Sequence, residues 1–178
     1  MQMRGERMLA ASRDDVWVAL NDPEVLRLCI PGCESIERIS DAEYLAAASA
    51  RIGPGAARFL GTVRLSEVDP PNGYRLTAEA QSATAGCVSG GAFVTLAAHG
   101  DATLISYDIE ATVGGELARL GGAVVDAMAR RLAEDFFARF EATVARSSDQ
   151  APPSAEPSAT SAPISAASQP APLPARAG

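Results

Sequence analysis

Lysine is absent from this 178-residue chain, so all 15 of its basic side chains are arginine, a skew that fits a GC-rich coding sequence better than any function. There is one histidine, His99. It excludes a multi-histidine metal site built within one chain and leaves little for histidine-based catalysis. Cysteine is scarce and odd in number: Cys29, Cys33 and Cys87. A C-x3-C spacing without a second pair is a poor zinc signature. No run of 18 apolar residues exists to span a membrane, and the start, Met1-Gln2-Met3-Arg4, has no secretory pattern. A reducing cytoplasmic setting is therefore the expectation. Cationic surplus is lacking too: the net charge of −7 argues against nucleic-acid binding, which needs phosphate neutralisation, and against attraction to anionic headgroups.

Composition divides the chain. From Ser147 to Gly178 there are 32 residues, of which 9 are alanine, 7 serine and 7 proline. Such a segment cannot bury enough apolar area to offset its ordering entropy, so 147–178 is expected to be a disordered tail and 1–146 the folded domain.

Within 1–146 the turn chemistry is dense. A short strand over 4–10 precedes Ser12, a good N-cap with Asp14 and Asp15 in the following turn. Asn21-Asp22-Pro23 ends that helix and starts a second, which Pro31-Gly32 closes. Strands are expected over 35–39, 44–52, 58–68, 74–81, 86–98 and 103–113, separated by Gly53-Pro54-Gly55, Asp69-Pro70-Pro71-Asn72-Gly73 and His99-Gly100-Asp101. Gly86, Gly90 and Gly91 inside one strand permit a bend. Leu117, Leu120, Val124, Met128, Leu132, Phe136, Phe140 and Val144 then recur every three or four residues, the pattern of a long amphipathic helix. On its polar side Asp126 with Arg130, and Asp135 with Arg139, are spaced as i,i+4 pairs.

Strand alternation gives an inward face of unusual composition. It includes Tyr44, Ala46, Ala48, Ala50, Ile52, Phe59, Gly61, Val63, Leu65, Tyr74, Leu76, Ala78, Ala80, Val94, Leu96, Ile105, Tyr107, Ile109 and Ala111. So many alanines leave a sheet short of the volume needed for native packing density against one helix. Either the helix sits very close or an apolar cavity remains. Phe136, Phe137 and Phe140 prevent uniformly close approach, so a tight C-terminal end and an open pocket under the N-terminal half of the helix are expected. The candidate ligand-binding residues are Phe59, Leu76, Leu96, Tyr107, Leu120, Gly121, Val124 and Met128. The paired glycines Gly121-Gly122 suit either close backbone approach or room for a ligand.

The order of strand, two short helices, six-stranded meander and long helix resembles the START/Bet v 1-like helix-grip fold, an α+β class in which a curved seven-stranded antiparallel sheet wraps a C-terminal helix. More narrowly, the chain resembles the carbon monoxide dehydrogenase G-subunit family. The resemblance rests on Val16-Trp17, on Leu20 to Leu26 (LNDPEVL), on Cys29 to Glu34 (CIPGCE), on Ile52-Gly53-Pro54, on Phe59 with Gly61, and on Val113 to Gly121 (VGGELARLG), and it covers residues 3–145. It implies a non-enzymatic accessory protein of a CO-dehydrogenase-type molybdenum enzyme complex. Such a protein would bind a hydrophobic molecule such as a respiratory quinone, recruit the enzyme to the inner face of the cytoplasmic membrane, or both. No metal or covalent cofactor is implied. The tail departs from the family's amphipathic ending, since Pro170, Pro172 and Pro174 break it.

Two other readings stand beside this one. A cyclase- or hydratase-like enzyme would use the same pocket, with Tyr107, Asp108 or Glu110 as its acid or base. A docking factor with a closed interior would instead present the Ile30-Pro31-Gly32 corner to a partner.

Overall fold

The computed structural model describes residues 1–52 and 55–149. The chain begins with strand β1 (Gln2–Leu9) and turns into α1 (Arg13–Leu20) and α2 (Pro23–Cys29). The caps are those the sequence specifies: Asp15 N donates to Ser12 Oγ at 3.2 Å, and Glu24 N donates to Asp22 Oδ1 at 2.9 Å with Pro23 in the first turn. Gly32 makes the next corner at φ +73°. Its hydrogen atom is required, because a Cβ there would lie 2.0 Å from the Ser49 carbonyl oxygen.

Six strands follow: β2 (Cys33–Ser40), β3 (Glu43–Ile52), β4 (Gly55–Asp69), β5 (Gly73–Ser82), β6 (Gly86–His99) and β7 (Ala102–Gly114). They form one antiparallel sheet in the order β1-β7-β6-β5-β4-β3-β2, with β1 closing against the last strand through pairs from Gln2↔Glu110 to Leu9↔Thr103. The strands start and stop within three residues of the boundaries read from turn residues. This is the helix-grip arrangement.

The terminal helical region differs from the expected single run. A short α3 (Glu116–Arg119) is separated from α4 (Gly122–Asp149) by Leu120 and Gly121. Gly121 has φ +85°, and a Cβ there would meet nothing within 4 Å. The glycine therefore serves a left-handed break in the backbone, neither close packing nor ligand space. α4 continues three residues beyond the composition boundary at 146, and the rest of the expected tail lies outside the described residues.

Two clusters hold the helices to the sheet. The larger joins Leu9, Val16, Leu20, Cys29, Tyr74, Leu96, Ile105, Phe137, Phe140 and Val144. Phe140 is fully buried there, as expected of the tight C-terminal end. The smaller, at the opposite end of the sheet, joins Ala57, Ala85 and Leu117, with Phe59, Val88 and Leu120 packed against it. Thr103 is buried and polar, and its Oγ1 donates to the Ala11 carbonyl at 2.8 Å. That bond satisfies the link between β1 and α1. On the exposed side of α4, Asp135 pairs with Arg131 at 3.8 Å, where the sequence spacing suggested Arg139.

Candidate functional site

Between the two clusters lies a cavity of about 510 Å³. Its origin is the alanine-rich inner face. Ala46, Ala78, Ala80, Ala92 and Ala111, with Gly90, project too little volume to reach the helix. On the other side, α4 contributes Ala129, Leu132, Ala133, Phe136 and Phe137. The nearest backbone neighbours of α4 are α2 and α1, so the helix is propped away from the middle of the sheet. Met3 of β1, Leu20 and Leu26 of the short helices, and Ile36 of β2 complete the apolar wall. Leu132 lines the cavity yet is 49% exposed, which marks an opening to solvent beside α4.

The wall carries few polar groups. Three are phenols: Tyr44, Tyr74 and Tyr107. Tyr44 is buried, and its hydroxyl accepts from Arg38 Nη2 at 2.9 Å and Nε at 3.3 Å. The same guanidinium sits 5.4 Å from the Tyr44 ring centroid. Tyr74 is buried against Trp17, edge to face with centroids 5.7 Å apart. Burial pushes the Tyr74 phenol far above its ordinary pKa, and the nearby Tyr44 adds to the shift. Tyr107 stacks on Phe137 at 5.1 Å. Glu110 is the one charged residue on the wall among the described residues, and it is exposed.

Several candidate residues reach this site and others do not. Leu76 and Tyr107 line the cavity, as do Ile30 and Pro31 of the corner assigned to docking. Gly32 beside them serves the turn. Leu96 is buried in the larger cluster, and Phe59 and Leu120 pack in the smaller one. Gly121 is exposed, Val124 is 48% exposed, and neither they nor Met128 lines the cavity. Val125 is buried, and Ala129, Leu132, Ala133, Phe136 and Phe137 of α4 line the cavity. Leu132 and Phe136 are on the stripe the periodicity drew, whereas just past the break at Gly121 Val125 takes the inward place of Val124. The cavity lies about two turns further along the helix than Gly121, Val124 and Met128, and the N-terminal end is closed by Leu117 and Leu120.

All three cysteines are free, and burial raises the Cys29 and Cys33 thiols above their ordinary values, which suppresses the reactive thiolate. Cys87, which reads as a small buried apolar residue, is exposed. Among the described residues no group of three or more His, Cys, Asp or Glu is placed to hold a metal ion, and no helix is long and apolar enough to cross a membrane.

Comparison with known proteins agrees with this architecture. Residues 5–145 match the model of the carbon monoxide dehydrogenase G-subunit (CoxG) family. A conserved protein from Geobacillus kaustophilus superimposes with a TM-score of 0.78 at 27% identity, over 83% of this chain and 97% of the other. A START superfamily protein from Mycobacterium smegmatis does so with a TM-score of 0.63 at 14% identity, over 82% and 97%. The structure of Ara h 8.0201 gives 0.59 at 14% identity, over 82% and 98%. At those lower identities the likeness is one of fold. Sequence comparison with the curated proteins finds no match.

Proposed function

The chain belongs to the carbon monoxide dehydrogenase G-subunit family, and on that premise we propose that it is a non-catalytic carrier of a hydrophobic small molecule, serving a CO-dehydrogenase-type molybdenum enzyme. The observation that carries this reading is the cavity of about 510 Å³ between sheet and α4, walled by alanine, leucine, isoleucine, valine and phenylalanine. That volume falls within the roughly 300–1,000 Å³ of small-molecule sites. Filling it transfers apolar ligand surface from water at about 25 cal/mol per Å². A flat ring system with a short isoprenoid segment, as in a respiratory quinone, matches a slot bounded by small side chains on one side and phenylalanines on the other.

The titratable groups fit binding better than catalysis. A general acid or base is most effective with a pKa near the working pH. Tyr74 is displaced away from that range, and Glu110 stands exposed at the rim. A phenol held protonated is a durable hydrogen-bond donor. The enzyme partner follows from family membership, and delivery at the membrane's inner face follows from where an isoprenoid quinone resides.

Native mass spectrometry of the purified full chain, followed by solvent extraction and an ultraviolet spectrum, tests the reading. A bound lipid with a quinone spectrum is the expected result. A ligand-free mass together with failure to bind an added prenylated naphthoquinone would remove the carrier function.

A further inference from the structure

Two buried tyrosines on the cavity wall have hydroxyls the protein does not fully use. Tyr74 is buried and lines the cavity, yet its hydroxyl makes no hydrogen bond among the described residues. An apolar ligand that displaces water from that hydroxyl offers it no acceptor in return. Tyr44 lines the same cavity, and its oxygen accepts from Arg38 while its own O–H proton has no acceptor among the described residues. Tyr44 and Tyr74 share the inner face of β3 and β5, which flank β4. The register sets Tyr44 opposite Val63 and, beyond it, Ala78, so Tyr74 stands four residues along β5 from that level. Each presents a phenol to an otherwise apolar space, and Arg38 holds the one at Tyr44.

The inference rests on the carrier reading above and specifies its ligand. We infer that Tyr74 forms the polar end of the cavity and receives a neutral hydrogen-bond-accepting oxygen of the ligand, of the carbonyl class. The apolar remainder extends along the alanine face toward the opening at Leu132. An anionic head group is disfavoured, because Arg38 is exposed and directed to the Tyr44 hydroxyl and Glu110 shares the wall. A hydroxyl-free hydrocarbon would fill the space but leave both donors buried and unpaired.

Calorimetric titration of the full chain with a prenylated 1,4-naphthoquinone and with the same prenylated naphthalene lacking the ring oxygens tests this. Wild type is expected to bind the naphthoquinone more tightly. Tyr74→Phe should weaken naphthoquinone binding about fivefold, the worth of one neutral hydrogen bond, and leave the naphthalene unchanged. Trp17, the single tryptophan, abuts Tyr74 and reports occupancy of that end by quenching. An equal effect on both probes, or no effect on either, overturns the polar end while leaving the carrier function standing. Failure of both probes to bind wild type overturns both. Should the variant fail to fold, the carbonyl stretch of the naphthoquinone bound to wild type decides: a downshift from its value in hexane supports the hydrogen bond, and an unshifted band overturns it.

Discussion

Gly5 of β1 lies directly opposite Tyr107 of β7, and a Cβ at position 5 would stand 2.3 Å from the Tyr107 hydroxyl oxygen and 2.4 Å from its Cζ. The glycine is therefore the seat of the tyrosine ring, which stacks on Phe137 at an interplanar angle of 21°. Gly5→Ala is expected to drive the ring from that stack, costing about 1 kcal/mol of stability, and to lower affinity for a prenylated naphthoquinone about tenfold by pushing the ring into the cavity. The same substitution in a Tyr107→Ala background should have little effect on affinity. Equal effects in both backgrounds would show that Gly5 matters to the strand and not to the ring.

Position along α4 makes a second prediction. Ala133 faces the cavity, whereas Val124 is about half exposed and does not. Ala133→Phe adds apolar volume to an open space, so stability should hold or rise while ligand affinity falls at least tenfold. Val124→Trp should leave affinity unchanged. Titration of both folded variants checks the pair, and loss of affinity with Val124→Trp alone would return the site to the N-terminal half of the helix.

The inner face was legible in the sequence because alternation along a strand has a period of two and tolerates no ambiguity of face. Tyr44, Ala46, Val63, Leu65, Tyr74, Leu76, Ala78, Ala80, Ile105, Tyr107, Ile109 and Ala111 all line the cavity. The caps at Ser12 and Asp22 were legible for a similar reason, since each is a local hydrogen bond between neighbours in the chain. The helix side was legible only in part. Leu132, Phe136, Phe140 and Val144 of the apolar stripe do face inward. The stripe, however, runs from Leu117 and Leu120 across the left-handed break at Gly121 as if the helix were continuous, and just beyond that break Val125 is buried where Val124 was expected. Ala129 and Ala133 gave no apolar signal strong enough to redirect the assignment, although alanines one turn apart facing an alanine-rich sheet are what a cavity wall requires. Residue type alone misjudges Cys87, since the alternation that turns Val94 and Leu96 inward puts Cys87 on the outer face of β6, where it lies exposed.

Phe140 anchors the closed end. It is fully buried, stacks with Phe136 at 5.5 Å and packs in the cluster that includes Val16, Cys29 and Tyr74. Phe140→Ala is expected to destabilise the fold by about 3–5 kcal/mol, the range for large-to-small changes at well-packed aromatic sites. Chemical denaturation measures the change. A cost below about 1 kcal/mol would mean that α4 is held mainly by its other contacts, and that the cavity does not depend on this wedge.

Alkaline pH supplies the last prediction. An ordinary tyrosine ionises near pH 10. In the folded chain burial holds the Tyr74 phenol well above that, with Tyr44 contributing. A raised acid binds its proton in the folded state at a pH where the unfolded chain has released it. Its contribution to stability is therefore intact below about pH 10 and is lost as pH rises from there toward the folded pKa. Stability of wild type should fall more steeply above pH 10 than that of Tyr74→Phe, which has no such proton to lose. Denaturation midpoints taken across that range for the two proteins check the sign. Parallel curves would mean that the Tyr74 hydroxyl reaches solvent, and the desolvated donor on which the polar end of the cavity depends would be gone.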